Sequence, residues 1–291
     1  MTDQKSETVR LVEVGPRDGL QSLDYRLSIE TRLEWITRLS QSGLSEIECG
    51  AFVRPDRVPA MASSDQLFTK IKNSDFLAWA LVPNLKGLER AQNSGVSAFA
   101  FFTSATETFS AKNASCSRQD SLERFKSLVV AADSQPLRAY LSCCFNCPFE
   151  GEVEGSDVLY MTRELLDLGA HEIVISDTIG SATPEHVLQL THHLNSELSA
   201  EVITSKISLH LHDTHGQAVE SAHAGWEAGI RSFDGSAGGI GGCPFAPNAS
   251  GNVSTESLVT LFDQLGVATG VSTSSLAETA NWFSNQPREI S

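Results

Sequence analysis

The 291-residue sequence has little of what marks membrane, secreted or nucleic-acid-binding proteins. No run approaches the roughly 18 apolar residues that a membrane-spanning helix needs, and the polar segment Met1–Arg10 lacks an apolar signal-peptide core. Six cysteines are too few for a disulfide scaffold. Lysine and arginine number 21 against 36 aspartates and glutamates, and the net charge of −15 disfavours nucleic-acid binding. We therefore expect a cytoplasmic protein that binds neither membranes nor nucleic acids.

Two further absences bear on the fold. No Pro/Ser-rich linker divides the chain, and no G-x-G-x-x-G follows the first apolar run, where Gly15-Pro16-Arg17-Asp18-Gly19 stands instead. Eight β-branched or aliphatic runs alternate with amphipathic stretches at a spacing of roughly 30 residues, which predicts an α/β protein with a (β/α)₈ TIM barrel. A doubly wound sheet is the rival fold. We expect a single catalytic domain over residues 1–291, with its core at about 9–270 and an extra C-terminal helix within about 272–291.

The eight runs are the predicted barrel strands: Val9–Gly15, Glu46–Phe52, Leu77–Pro83, Ala98–Thr103, Arg138–Phe145, Glu172–Asp177, Lys206–Asp213 and Arg231–Ser236. The clearest predicted helices are Ser28–Ser42, Gln119–Ser134, Ser156–Leu168, Pro184–Ser196 and Gln217–Ala228. In a barrel of this kind the chemistry lies at the carboxyl ends of the strands.

Two histidines stand near the end of the seventh predicted strand. His210 and His212 are two residues apart, so on a strand they share one face while Leu209 and Leu211 point the other way. Two imidazoles at this spacing form a good edge for a metal site. The alternative is that both simply fill the barrel interior.

Asp18 is expected to end the first strand, with Arg17 immediately before it. In a closed barrel the first strand lies beside the eighth and near the seventh, so Asp18 can supply an oxygen ligand to the same metal. Arg17 would then place a cation where negative charge develops. The alternative is a turn aspartate beside a solvated arginine.

A glycine-rich segment follows the eighth predicted strand and ends in Cys243-Pro244. Such a loop needs unusual backbone angles or mobility, and Cys243 at its tip can deliver a proton when the loop closes. A flexible loop with an incidental thiol is the alternative. Asn252, a little further on, offers an amide oxygen as a further ligand.

Other polar residues face the predicted mouth of the barrel. Glu48 and Asp177, expected at the ends of the second and sixth strands, can orient Arg17 or a ligand, or can serve as helix N-caps or structural carboxylates. The run from Cys143 to Cys147 is weak evidence for a metal site and favours structural or pocket-lining thiols.

In this order, the segments resemble 3-hydroxy-3-methylglutaryl-CoA lyases, which belong to a superfamily of metal-dependent lyases and aldolases with TIM-barrel folds. The resemblance covers about residues 9–270. The segments that carry it are Val12-Glu13-Val14-Gly15-Pro16-Arg17-Asp18-Gly19-Leu20-Gln21, Pro83-Asn84-Leu85-Lys86-Gly87, Cys147-Pro148-Phe149-Glu150-Gly151, Ser176-Asp177-Thr178-Ile179-Gly180, His210-Leu211-His212-Asp213-Thr214, Gly241-Gly242-Cys243-Pro244 and Gly251-Asn252-Val253.

The resemblance implies a role for each matching residue. The implied ligands of a divalent metal, Mg²⁺ or Mn²⁺, are Asp18, His210, His212 and Asn252. Arg17 is implied to stabilise a thioester enolate, Cys243 to transfer a proton, and Glu48 and Asp177 to be required acidic residues. The implied reaction is retro-Claisen cleavage of 3-hydroxy-3-methylglutaryl-CoA to acetyl-CoA and acetoacetate, with His210 or Asp18 as the base and a place in leucine catabolism. We also expect a small-molecule acyl-CoA substrate and a homo-oligomer, a dimer.

The sequence departs from the family pattern at Ser22-Leu23-Asp24 and from Cys49 to Arg57, where the family usually has a lysine, a Thr-Ser-Phe pattern and a tryptophan. Gly50 and Ala51 leave more room than threonine and serine, which favours a larger substituent on the substrate. Arg54 and Arg57 can restore positive charge for the phosphates of coenzyme A. Alternative functions are a lyase for another 3-hydroxy-3-substituted acyl-CoA, an aldolase-type enzyme, and a barrel that binds metal or ligand without turnover.

Overall fold

The computed structural model describes residues 7–23, 25–242, 251–287 and 289–290, and over these ranges parallel strands close into a barrel of eight. The strands follow one another around the barrel in chain order, and the first pairs with both the eighth and the second. The predicted barrel is confirmed, and each predicted strand overlaps an observed one. The strands are β1 Arg10–Glu13, β2 Glu46–Ala51, β3 Leu77–Leu81, β4 Ala98–Ser104, β5 Leu137–Ser142, β6 Glu172–Asp177, β7 Ile207–Leu211 and β8 Ser232–Gly235.

Helices fill most of the gaps between the barrel strands. Within the described ranges they are α1 Ile29–Gln41, α2 Ser64–Ile71, α3 Leu85–Asn93, α4 Glu107–Ala114, α5 Arg118–Ala132, α6 Gly155–Asp167, α7 Pro184–Glu197, α8 Ala200–Lys206, α9 Ala218–Glu227, α10 Thr255–Gln264 and α11 Thr273–Ser284. Short helical turns cover Gly15–Gly19, Pro59–Met61 and Ala237–Gly239. Two antiparallel pairs of short strands join Tyr25–Arg26 to Glu289–Ile290 and Asn146–Cys147 to Gly151–Glu152.

Polar side chains set the starting points of several helices. Ser28 accepts a hydrogen bond from the Thr31 amide at the start of α1, and Ser117 forms a reciprocal capping box with Asp120 at the start of α5. Thr183 caps α7, whose first residue is a proline. Each cap satisfies an amide that has no partner within the helix, so the sequence itself fixes where these helices begin.

Alternation along β7 divides its side chains between the barrel interior and the helices outside. Leu209 faces α9, where a side-chain carbon at Gly225 would overlap Leu209 Cδ1. Glycine at this position therefore lets α9 lie directly against the strand. His210 has the opposite parity and is 5% exposed inside the barrel.

The C-terminal helix α11 packs across α1 on the outside of the barrel. Trp35 and Phe283 stack with ring centroids 3.9 Å apart, and the Arg38 guanidinium lies 4.8 Å from the ring centre of Trp282. The predicted extra helix is therefore present. Among the described residues, no helix combines the length and apolar character required to cross a bilayer.

Candidate metal and active site

Arg17 and Asp18 lie in a tight turn just beyond β1. The chain makes one turn of π-helix over Gly15–Gly19, in which the Val14 carbonyl accepts from the amides of Arg17 at 3.1 Å, Asp18 at 2.8 Å and Gly19 at 3.2 Å. All five residues of the turn are buried. Asp18 therefore does not end the strand as expected, but the turn holds its side chain at the carboxyl end of the barrel.

Asp18, His210 and His212 form a buried cluster at this end of the barrel. The Nε2 atoms of the two histidines lie 3.2 Å apart, and each lies 3.9 Å from Asp18 Oδ2. One ligand atom from each residue falls within 4.8 Å of the other two, which is the spacing expected of ligands around one metal ion. The structure thus brings together three of the four predicted ligands by these distances alone.

The protonation states of Asp18 and His212 at neutral pH also favour the binding of a cation. Burial alone would raise the pKa of Asp18, but the Arg17 guanidinium and the two imidazoles outweigh burial, and the pKa is lowered. Burial and the neighbouring His210 lower the pKa of His212 to about 4. At neutral pH the site therefore holds an ionised carboxylate and a neutral His212, the forms in which these groups bind metals.

Asn252, the fourth predicted ligand, lies against the same cluster. Its backbone pairs with that of His212 in an isolated antiparallel β-bridge, and the residue is 3% exposed. Its side chain donates from Nδ2 to Asp18 Oδ2 at 3.0 Å and to the Ile240 carbonyl at 3.0 Å. Its Oδ1 is buried and has no hydrogen-bond partner among the described residues. A half-turn of the amide would exchange these two atoms and present the unpartnered oxygen to an ion beside Asp18.

Arg17 is held between two carboxylates. Its Nη1 donates to Asp18 Oδ1 at 2.6 Å, its Nη2 donates to Glu48 Oε2 at 3.0 Å, and its Nε lies 2.9 Å from Glu48 Oε1. Tyr140 donates from its hydroxyl to Glu48 Oε2 at 2.6 Å, and its ring lies beneath the Arg17 guanidinium. The alternative interpretation, in which the Arg17 side chain is solvated, is therefore wrong. Glu48 lies in the middle of β2, not at its end, and takes the orienting role for Arg17.

Ionic contacts extend from this site through the barrel interior. They link Glu48 to Arg17, Asp18, His210, Asp234, Arg138, Glu172, Arg10 and Glu46 in turn. Beside the cluster itself, the carboxylates of Asp18 and Glu48 face the guanidinium of Arg17, an excess of one negative charge at formal charge. Because isolated buried charges are costly, this excess fits a bound divalent cation.

Asp177 ends β6 as expected, and its carboxylate turns toward the backbone that follows. Its oxygens accept from the amides of Ser181 at 3.1 Å and Ala182 at 2.9 Å. Burial raises the pKa of Asp177 although these amides act in the opposite direction. This geometry matches the structural-carboxylate alternative, since the side chain shapes the loop beside the site.

Cys243, the predicted proton donor, lies outside the described residues. The preceding Gly242 lines the cavity above the cluster. The other predicted thiols, Cys143, Cys144 and Cys147, are buried and do not line that cavity, and Cys147 Sγ accepts from Thr106 Oγ1 at 3.2 Å. They fit the structural interpretation.

A cavity of about 940 Å³ opens above the cluster. Its deep end contains Arg17, Asp18, His210 and His212. Its wall is mixed, and its apolar part includes Val53, Val58, Leu81, Phe101, Phe102 and Phe109. Its rim carries the basic side chains of Arg54, Arg57, Lys112 and Arg124. The two arginines proposed to restore positive charge therefore lie at the entrance.

The expectation that Gly50 leaves extra room for a substrate substituent is wrong. A side-chain carbon at Gly50 would lie 2.9 Å from Ser64 Oγ and 3.1 Å from Arg32 Nη2, on the side of the strand that packs against helices. Neither Gly50 nor Ala51 lines the cavity. The pairing of β2 with β3 shifts register between Glu48 and Gly50, so a simple alternation count fails at this point.

Sequence reasoning missed three residues of the site. Tyr140 lines the cavity and binds Glu48, Asp234 contacts His210 Nδ1 at 3.2 Å, and Arg138 donates to Asp234 at 2.8 Å. All three are buried. A signal existed, because Arg138 and Asp234 are charged residues within predicted barrel strands and Tyr140 shares the parity of Arg138.

The chain is similar to known proteins over nearly its whole length. Residues 8–282 match the family model described as HMGL-like. The chain is 42% identical over 275 residues to hydroxymethylglutaryl-CoA lyase of Pseudomonas mevalonii, covering 94% of this chain and 90% of that protein. It is 41% identical to a Pseudomonas aeruginosa protein named 3-hydroxy-3-isohexenylglutaryl-CoA/hydroxy-methylglutaryl-CoA lyase, covering 93% and 90%.

A solved structure of an HMG-CoA lyase from Acinetobacter baumannii, in complex with coenzyme A and 3-methylmalate, matches with a TM-score of 0.87. Its sequence is 33% identical, and the match covers 94% of this chain and 89% of that one. The chain therefore belongs to the HMGL-like family, as the resemblance of its motifs predicted.

Proposed function

We propose that the protein is a divalent-metal-dependent carbon–carbon lyase that cleaves 3-hydroxy-3-methylglutaryl-CoA to acetyl-CoA and acetoacetate. The observation that carries this proposal is the buried cluster of Asp18, His210 and His212 beside Arg17, at the deep end of a cavity of about 940 Å³. Relatives at about 40% identity over nearly the whole chain bear the names of such lyases.

Asp18, His210, His212 and Asn252 would hold the metal, which we propose to be Mg²⁺ or Mn²⁺. The mixed set of carboxylate, amide and imidazole ligands is consistent with either ion. When bound, such an ion supplies Lewis-acid polarisation of the substrate's hydroxyl group.

The chain's own residues account for the proton and charge movements. Of the two predicted bases, Asp18 accepts the proton of the C3 hydroxyl, because Nδ1 of His210 contacts Asp234 and its Nε2 would bind the metal. The adjacent carbon–carbon bond then breaks to give a ketone and a thioester enolate. Arg17 is buried and held by Glu48, so it is already oriented to stabilise the enolate oxygen without reorganising at the moment of reaction. Cys243 returns a proton to the enolate carbon.

The rim of the cavity supports a coenzyme A thioester as the substrate. Arg54, Arg57, Lys112 and Arg124 surround its entrance, and guanidinium and ammonium groups are the usual protein partners of phosphates. The relative from Acinetobacter baumannii is described in complex with coenzyme A. The acyl group would then reach inward, past the apolar part of the wall, to the cluster.

A second candidate substrate is a 3-hydroxyglutaryl-CoA with a larger C3 substituent. The phenylalanine-rich wall and the volume of the cavity favour it, and the Pseudomonas aeruginosa relative is named for both the methyl and the isohexenyl compounds. Gly50 and Ala51 do not support this candidate, because neither residue lines the cavity.

The proposal is tested by incubating purified protein with Mg²⁺ or Mn²⁺ and 3-hydroxy-3-methylglutaryl-CoA and measuring acetoacetate. Chelation should stop the release, and metal should restore it. No release by folded, metal-loaded protein would exclude this substrate, and a panel of acyl-CoAs with larger C3 groups would then test the second candidate. Failure on the whole panel would favour the barrel without turnover.

We further propose that the chain is one domain, forms a homodimer and acts in the cytoplasm. Light scattering on the purified protein and fractionation of the source cells test the last two statements.

A further inference from the structure

Asp234 faces His210 across two adjacent barrel strands. The two residues are register partners in β7 and β8, and His210 Nδ1 lies 3.2 Å from Asp234 Oδ2. Asp234 is 2% exposed, so no solvent competes for its carboxylate. The contact lies on the side of the imidazole ring opposite the Nε2 that faces His212.

Arg138 holds the other oxygen of Asp234. Its Nη2 donates to Asp234 Oδ1 at 2.8 Å, and its Nε lies 3.1 Å from Glu172 Oε2. Arg138 is fully buried, and its guanidinium lies 5.1 Å from the ring centre of Tyr140. Asp234 is therefore held in place by a buried arginine that is itself anchored by Glu172.

The contact fixes which nitrogen of His210 carries the proton. An ionised carboxylate can only accept, so Nδ1 must be the donor. The lone pair of Nε2 is then directed toward His212 Nε2, 3.2 Å away. His212 differs, because its Nδ1 is buried without a hydrogen-bond partner among the described residues.

We propose that Asp234 is a positioning residue that, anchored by Arg138, fixes the ring and the tautomer of His210 for metal binding. The inference rests on the metal site of the proposed function. Carboxylate–histidine pairs of this kind orient metal ligands and raise their basicity.

Only a carboxylate serves both neighbours of Asp234. Its two oxygens accept from His210 and Arg138 at once, whereas an asparagine has one acceptor oxygen and would turn its NH₂ group toward one of two donors. Asp234→Asn nearly preserves the shape of the side chain, but it must lose either the contact with His210 or the contact with Arg138.

The first test measures Mn²⁺ affinity by EPR titration of the wild type, Asp234→Asn and the control Glu172→Gln. The control removes one negative charge from the same ionic network and one of the contacts that hold Arg138 in place. Glu172 itself makes no contact with His210. We expect the Kd of Asp234→Asn to rise by about 10–100-fold, and that of the control to rise by no more than about threefold.

Equal affinity of the wild type and Asp234→Asn, or equal losses in both variants, would overturn the inference. A wild type that binds no Mn²⁺ would instead overturn the metal site itself.

A second test does not use Asp234→Asn and so holds even if that variant does not fold. Long-range ¹H–¹⁵N spectra distinguish the two tautomers of a neutral imidazole, and the His210 signal is assigned by its loss in His210→Gln. We expect His210 to carry its proton on Nδ1. A proton on Nε2 in the metal-free protein would contradict the positioning role.

Discussion

Arg17 is a buried cation whose guanidinium is shared between Asp18 and Glu48. It contributes nothing to the proposed ligand set, so its role in chemistry can be separated from metal binding. We expect Arg17→Met to lower kcat by about 10²–10³-fold, the usual loss when a preorganised oxyanion donor is removed. Mn²⁺ affinity should remain nearly unchanged, because the loss of the hydrogen bond to Asp18 is offset by the loss of a positive charge that repels the ion.

Steady-state kinetics and the EPR titration on the same preparation check both halves of this prediction. Arg17→Lys is the matched control, because it keeps the charge but loses the two-point contact with Glu48. Its activity should fall between those of the wild type and Arg17→Met. Full activity in Arg17→Met would remove Arg17 from the reaction.

Among the individual residues of the site, the sequence predicted those that lie near strand ends. His210 and His212 share a face by alternation, and Asp18 follows the strand that closes the barrel beside them. Tyr140 and Asp234 were missed because their roles depend on which side chains face one another across the interior. That arrangement follows from the register between strands, such as the pairing of His210 with Asp234, which alternation along one strand does not contain.

Glu13 joins three elements behind the site. It accepts from the Gly15 amide at 2.9 Å, from the Ala237 amide at 3.0 Å and from Thr255 Oγ1 at 2.7 Å. It thus ties the turn that carries Arg17 to the start of the glycine-rich segment and to α10. Burial raises the pKa of Glu13 to about 8, against the opposing effect of these donors.

The raised pKa of Glu13 predicts a pH-dependent stability. Between pH 4.5 and about 8 the folded protein keeps the proton and the unfolded chain releases it, so a higher pH favours unfolding. Relative to Glu13→Gln, a neutral mimic, the wild type should lose up to about 1.4 kcal/mol per pH unit across this window. Urea unfolding of both proteins from pH 5 to 9 measures the difference. A difference independent of pH would contradict the raised pKa.

Gly251 lets two loops approach closely beside Asn252. A side-chain carbon at Gly251 would overlap the Gly239 carbonyl oxygen and lie 2.7 Å from the Gly241 amide nitrogen. Because these are backbone atoms, Gly251→Ala must displace the loop and with it Asn252. We expect a roughly tenfold loss of Mn²⁺ affinity, by analogy with other changes next to metal ligands.

The control for this prediction is Gly266→Ala. Gly266 has a φ of +70° and open space around it, so alanine there costs backbone strain but is remote from the cluster. It should lower the melting temperature without changing Mn²⁺ affinity. Unchanged affinity in Gly251→Ala would show that Asn252 tolerates displacement or binds no metal.

The strands and several helices could be predicted because their signals are local. Strands buried on both faces read as continuous apolar runs, and side-chain caps mark helix starts such as Ser28 and Thr183. The π-helical turn at Gly15–Gly19 and the register shift after Glu48 have no such signal. The register shift turns Gly50 toward the helices although Glu48, two residues earlier, faces the interior.

The whole molecule carries a net charge of −15, so an anionic substrate approaches against the overall field. The cavity rim is the local exception, with basic side chains from several elements. They are not equivalent. The Arg54 guanidinium donates to both carboxylate oxygens of Asp56, at 3.1 and 2.6 Å, and is thereby partly neutralised. Arg57, exposed on the same loop, is the better test of the rim.

Arg57→Ala should raise KM for an acyl-CoA by about 3–10-fold and change kcat by less than about twofold, because an exposed charge contributes to binding rather than to the chemical step. Since exposed charges are screened within roughly 10 Å at 0.1 M salt, the difference in KM should shrink as ionic strength rises. Lys70→Ala, an exposed cation on α2 that does not line the cavity, removes the same charge from the overall field and serves as the control. A similar rise in KM for both variants would mean that the net charge, rather than the rim, governs substrate binding. A lower kcat in Arg57→Ala at unchanged KM would instead place Arg57 in the reaction.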